Sequence, residues 1–151
     1  MRYYFSILLL STIACHSTPP SDGSSKEEQD PDQAAVLTAV QNFLTAGDEQ
    51  STDQLETVLH PSFRILINQF KGGPDVTLID RTTYLNMIAA KQLGGDPRSS
   101  ETLSVEIVGN LAFVRAKVQN SVLQFDTLYT LILDTNGKWW LAAEAPFVTS
   151  I

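Results

Sequence analysis

Apolar residues recur along this chain at two spacings, one helical and one extended, and the switch between them divides the sequence. Val36, Leu37, Val40, Phe43 and Leu44 return every three or four residues, which places them on one face of a helix. Asp30-Pro31-Asp32-Gln33 marks its start: Asp30 can cap, Pro31 suits the first helical position, and Gln33 stands where a capping box wants an amide. Gly47 is the expected stop, through a left-handed C-cap. A second, short helix is predicted from a Ser51 or Thr52 cap, with Leu55, Val58 and Leu59 inward, ending at His60-Pro61. Phe63, Ile65 and Ile67 alternate with Arg64 and Asn68 as in a strand, and Leu66 breaks the alternation. Lys71-Gly72-Gly73-Pro74 turns the chain into a second short strand, Val76 to Ile79. Asp80 caps a third helix with Tyr84, Leu85, Ile88 and Ala89 as its stripe, closed by Gly94-Gly95.

The remainder alternates with period two. Leu103, Val105 and Ile107 are followed by Gly109-Asn110, a two-residue hairpin signal, and then by Ala112, Val114, Ala116 and Val118. A long strand runs from about Val122 to Asp134, Asn136-Gly137 turns it, and the last strand covers Lys138 to Phe147. Loops this short pair neighbours antiparallel, and no parallel crossover is evident. The fold class is therefore α+β: three helices, an irregular hairpin and a curled four-stranded meander layered on one another.

The first 29 residues fit neither period. Phe5 to Ala14 is apolar or small, about half the roughly 20 residues of a membrane-crossing helix, so residues 1–14 read as a secretory signal peptide. The stretch Thr12-Ile13-Ala14-Cys15 resembles the lipobox of bacterial lipoproteins, with Thr12 where Leu is commonest. That likeness implies cleavage before Cys15 and lipidation of it; cleavage by the general signal peptidase is the alternative. In that alternative Cys15 becomes a lone thiol in an oxidising compartment. His16 to Gln29 is polar and rich in Pro, Ser and Gly, a flexible linker spanning roughly 20 Å. Three parts follow: the signal, the lipidated Cys and linker over 15–29, and one domain over 30–151. The expected location is the extracytoplasmic side of a bacterial cell envelope, in periplasm or outer membrane, with the lipid as sole membrane contact.

Composition narrows the chemistry. With 17 acidic against 10 basic residues among 151, and a net charge of −7, the chain lacks the clustered cations that nucleic acid demands. One Cys excludes an internal disulfide, and two His without carboxylates at ligand spacing argue against a metal site. No phosphate-binding glycine loop, nucleophile elbow or cofactor motif is present.

Several strings carry a family likeness: Val40-Gln41-Asn42-Phe43-Leu44 before Gly47-Asp48, Leu59-His60-Pro61-Ser62-Phe63-Arg64, Ile79-Asp80-Arg81 leading to Tyr84-Leu85, and Asn136-Gly137-Lys138-Trp139-Trp140-Leu141. In that order they resemble the nuclear transport factor 2-like superfamily, nearest its "putative lumazine-binding" branch, with polyketide-cyclase-like and ketosteroid-isomerase-like cousins. The likeness covers about Asp30 to Phe147. It implies a cone-shaped barrel, three N-terminal helices packed on a curled antiparallel sheet around a pocket, and often a homodimer through the outer sheet face. It does not imply that lumazine is bound.

Within such a cone His60, Tyr84, Phe125, Tyr129 and Trp139 are the candidate pocket residues. His60 equally suits a capping role at its helix end. Tyr129 shares a strand face with Leu123, Phe125, Thr127, Leu131 and Leu133, whereas Asp126 falls on the opposite face with Gln124 and Thr130. Alternation also separates Trp139 from Trp140, sending Trp139 with Leu141 under the helices. Trp140, with Ala142, goes outward, against a dimer partner, the C-terminal tail or solvent. No catalytic motif of the isomerase or cyclase kind matches residue by residue, so no catalytic residue is assigned. The expected role is to bind a small apolar or aromatic ligand, or a peptide, without catalysis. An isomerase- or cyclase-like enzyme using a buried carboxylate and a tyrosine is the alternative, and a purely structural envelope module is a third reading.

Overall fold

The computed structural model describes residues 30–69 and 72–151, so the signal, Cys15 and the linker lie outside the described residues. The helices are α1 (Pro31–Asp48), α2 (Thr52–Val58) and α3 (Arg81–Ala89). The strands are β1 (Leu59–Asn68), β2 (Val76–Asp80), β3 (Ser99–Val108), β4 (Leu111–Gln119), β5 (Leu123–Leu133) and β6 (Trp139–Ser150). Each helix start is capped by a side chain that satisfies a free backbone N–H. Asp30 accepts from Asp32 N at 3.0 Å, Ser51 from Gln54 N at 3.4 Å and Asp80 from Thr83 N at 2.7 Å. Val36, Val40, Phe43 and Leu44 of α1 are buried, as their spacing requires.

Gly47 does not end α1 in a left-handed turn. The helix continues to Asp48, and Gln50 takes the positive φ of 53°. Gly47 is small for another reason: a Cβ there would stand 2.6 Å from Arg98 Nη2. Its carbonyl accepts from Gly95 N at 3.3 Å, and a Cβ on Gly94 (φ 73°) would approach that same oxygen to 2.0 Å. Glycine at both positions lets the segment after α3 close onto the end of α1.

The strands form one sheet in the order β2-β1-β6-β5-β4-β3. It curls without closing, and among the described residues β2 and β3 are its edges. The meander β3 to β6 is antiparallel throughout, with the Val108↔Leu111 pair flanking the Gly109-Asn110 loop. One expectation is corrected: β1 runs parallel to β6, with Leu59↔Leu141 and Ile65↔Glu144 in register, so the sheet is mixed rather than antiparallel. Short loops constrain only sequential neighbours. The last strand of the meander would be a bare edge beside the apolar face of β1, and everything from β2 to β5 serves as the long crossover that parallel pairing needs.

A second correction lies within β6. Thr130 faces Ala143, but the next β5 residue, Leu131, faces Leu141, so Ala142 is an extra residue in a β-bulge. A one-residue slip exchanges the two faces of a strand. Trp139 and Leu141 point inward before the bulge, and Glu144, Pro146 and Val148 line the cavity after it. Ala142 is therefore buried, not outward with Trp140. Trp140 is half-buried on the outer side, its Nε1 donating to Asp134 at 2.9 Å and its ring covered by the Lys138 ammonium 3.5 Å from the centroid.

Candidate functional site

Between the curled sheet and α3 lies a partly open cavity of about 470 Å³. Its walls are mostly apolar: Ile65 and Ile67 of β1, Ile79 of β2, Val118 of β4, Phe125 of β5 and Val148 of β6. A pocket of this size and lining is typical of small-molecule sites, in which a few polar groups fix the ligand's orientation. Those groups here are Tyr84, Arg98, Tyr129 and Glu144.

Tyr129 and Glu144 are direct cross-strand partners on β5 and β6, which sets their side chains beside each other. Both are buried, at 1% and 8% exposure. Glu144 Oε1 accepts from Thr127 Oγ1 at 3.4 Å, a long contact for a carboxylate with about four acceptor positions. Burial pushes the Glu144 carboxyl up to about 7; the Arg98 charge and the Thr127 hydroxyl pull it down and are outweighed. The phenols of Tyr84 and Tyr129 are also raised far above their ordinary value, first by burial and then by Glu144. They therefore remain protonated and able to donate.

Tyr84 arrives from α3 and completes an aromatic cluster, 5.9 Å from Phe43 and 5.6 Å from Phe63 between ring centroids; Tyr129 is 6.0 Å from Phe43. Arg98 precedes β3 and is anchored to α1. Its backbone N and Nε donate to the two Asp48 carboxylate oxygens at 3.0 and 2.5 Å, and Nη2 donates to Leu44 O at 2.7 Å. Gln92, Asp96 and Asn120 stand around the cavity's more exposed side, where Asp96 accepts from Ser121 Oγ at 2.7 Å. Among the described residues no group of three or more His, Cys, Asp or Glu is placed to hold a metal ion.

Of the five pocket candidates drawn from the sequence, Tyr84, Phe125 and Tyr129 line this cavity, while His60 and Trp139 do not. Trp139 pairs with Leu133 at the far end of β5 and β6 from Phe125 and Val148, buried in the core with no partner for its Nε1 among the described residues. His60 sits at the start of β1 with its Nδ1 2.6 Å from Ser62 Oγ. Asp126 is on the outer face, bonded to Arg115 at 2.8 Å. Glu144 and Arg98 are polar cavity-lining side chains that sequence reasoning missed. Straight alternation from Trp139 puts Glu144 outside, and Arg98 follows a loop with no periodic signal. The one available hint is a lone acid in the apolar run Leu141-Ala142-Ala143-Glu144-Ala145-Pro146-Phe147.

This helix-and-sheet arrangement defines the nuclear transport factor 2-like fold. A protein of that type of unknown function from Shewanella baltica superposes with a TM-score of 0.66 at 14% identity, over 77% of this chain and 92% of its own. A ketosteroid isomerase-like protein from Erwinia carotovora atroseptica gives 0.61 at 15% identity, over 81% and 98%. The CaMKII hub of S. rosetta gives 0.58 at 15%, over 77% and 95%. Within that fold, the chain belongs to the family described as "Putative lumazine-binding", whose pattern matches residues 31–145. No curated protein matches the sequence significantly.

Proposed function

We propose that the domain binds a small ligand with an apolar or aromatic body in the cavity, and that a lipid on Cys15 tethers it to the extracytoplasmic side of a bacterial envelope. The observation that carries this reading is the roughly 470 Å³ apolar hollow with its polar groups gathered around Glu144 and Tyr129. Family membership supports it. The tether rests on the lipobox-like sequence; an unmodified Cys15 in mass spectra of the mature protein would remove it. A homodimer through the outer sheet face is part of the proposal, supported by exposed Phe113, Leu128 and Phe147 on that side and by the likeness to a hub domain. Equilibrium sedimentation at micromolar concentration is expected to give twice the monomer mass.

A thermal-shift screen of aromatic heterocycles and steroids tests ligand binding. The expected result is a rise in melting temperature for at least one class, reduced in Tyr129→Phe, which removes one phenol donor from the cavity. Uniformly flat responses would favour a purely structural module.

One observation favours a second reading, an acid–base enzyme of the isomerase or cyclase kind: a buried carboxylate poised near neutrality beside a phenol that stays protonated. Under that reading a bound ketone exchanges its α-hydrogens in D₂O, and Glu144→Gln abolishes the exchange.

A further inference from the structure

We infer, building on the cavity-binding reading, that the ligand is an aromatic amine whose protonated amino group sits against Glu144 while its ring lies among Tyr84, Phe125 and Tyr129. Three features of the cavity and the charge of the chain point the same way.

Glu144 is an acceptor with few donors among the described residues. It is 8% exposed, lines the cavity, and among the described residues receives one hydrogen bond, from Thr127 at 3.4 Å. A buried carboxylate left this way carries a large desolvation penalty, and an incoming cation with N–H donors removes it. The Arg98 charge acts on Glu144 but supplies no hydrogen bond to it among the described residues. The Arg98 guanidinium donates through Nε to Asp48 and through Nη2 to the Leu44 carbonyl.

The charges around the cavity are unequal. Asp96, Arg98 and Glu144 line it, and Arg98 is also paired with Asp48 behind it, so carboxylates outnumber the cation around the cavity. An anionic ligand would meet two carboxylates, and a neutral one could offer Glu144 a hydrogen bond but no charge. The walls add to the preference, since the faces of Tyr84, Phe125 and Tyr129 attract a cation electrostatically and an aromatic body by stacking. The net charge of −7 also steers cations toward the protein.

Binding is coupled to protonation. The groups facing Glu144 are Thr127 and Tyr129 from β5, Tyr84 from α3 and Arg98 with Asp48 beyond it, and Glu144 is the one among them poised near neutral pH. An ammonium favours the ionised carboxylate, so a proton leaves as the amine enters.

The test compares three ligands with one indole body on the full-length chain: tryptamine, tryptophol and indole-3-acetate, which carry a positive, neutral and negative end. Calorimetry at pH 7 is expected to show tryptamine binding at least about tenfold more tightly than tryptophol, with indole-3-acetate weakest. In buffers of different ionisation enthalpy, tryptamine should release about half a proton per site. Glu144→Gln should bring tryptamine and tryptophol within about twofold of each other while tryptophol binding persists. Tryptophol or indole-3-acetate binding as tightly as tryptamine, a preference that survives Glu144→Gln, or no proton release would each overturn the amine inference and leave cavity binding standing. Failure of all three ligands would also overturn it, and the heterocycle and steroid screen then decides the broader reading by itself.

Discussion

Glu144→Gln makes the domain more stable than the wild type at pH 8, by about 3 kcal/mol, and leaves it nearly unchanged at pH 4. The size follows from a carboxyl raised from 4.5 to about 7, at roughly 1.4 kcal/mol per unit. Between those two values the unfolded chain has released the Glu144 proton and the folded chain still holds it. The unfolded state then binds fewer protons, so stability falls as pH rises through this window and levels off above it. Gln cannot ionise, and the variant loses this slope. Urea denaturation of both proteins from pH 4 to pH 9 checks the expectation. Parallel profiles, or a variant weaker than the wild type at pH 8, would mean that the carboxylate is solvated. A residue that costs stability where it stands is characteristic of a site kept for binding or chemistry.

Arg98→Met should produce a loss of comparable size at pH 5 that grows as pH rises. The guanidinium joins the end of α1 to the start of β3 through Asp48 and the Leu44 carbonyl, and the ion pair is largely shielded, at 16% and 17% side-chain exposure. Removing the guanidinium leaves Asp48 with only the backbone N–H of residue 98 and takes the side-chain donor from the Leu44 carbonyl, a loss of roughly 2–4 kcal/mol for a pair that keeps some contact with water. Arg98 also holds the Glu144 carboxyl down, so its removal shifts the pH-dependent loss to higher pH and deepens it at pH 8. A double-mutant cycle with Glu144→Gln separates the two effects: the extra loss at pH 8 should vanish when Glu144 is absent. A decline under about 0.5 kcal/mol at pH 5 would show that Arg98 does not tie these elements together.

The helices and the meander were readable because each buries one face, and that face leaves a period in the sequence. Val36, Val40 and Phe43 announce α1, and Ala112 to Val118 announce β4 without help from the rest of the fold. Strand parity alone placed Tyr129 inward and Asp126 outward, where it pairs with Arg115. The parallel β1–β6 pairing was not readable, because register between strands some 80 residues apart is decided by which apolar edges remain to be covered.

The site was half readable for a related reason. Tyr84, Phe125 and Tyr129 sit on regular elements, so periodicity aims them at the cavity. Glu144 depends on one extra residue at Ala142, and Ala-Ala in a strand gives no sign of a bulge. Arg98 depends on the approach of Gly94 and Gly95 to the Gly47 carbonyl, a contact between distant glycines that no local pattern records.

The bulge, the inward turn of Glu144 and its burial inside the hollow together make one quantity observable. Following the side-chain carboxyl carbon of Glu144 by NMR as pH is raised reads its protonation in place. Half-ionisation near pH 7 agrees with a carboxylate enclosed beside Tyr129. A midpoint close to 4.5 would mean that Glu144 faces water, and the ligand site built around it would not exist.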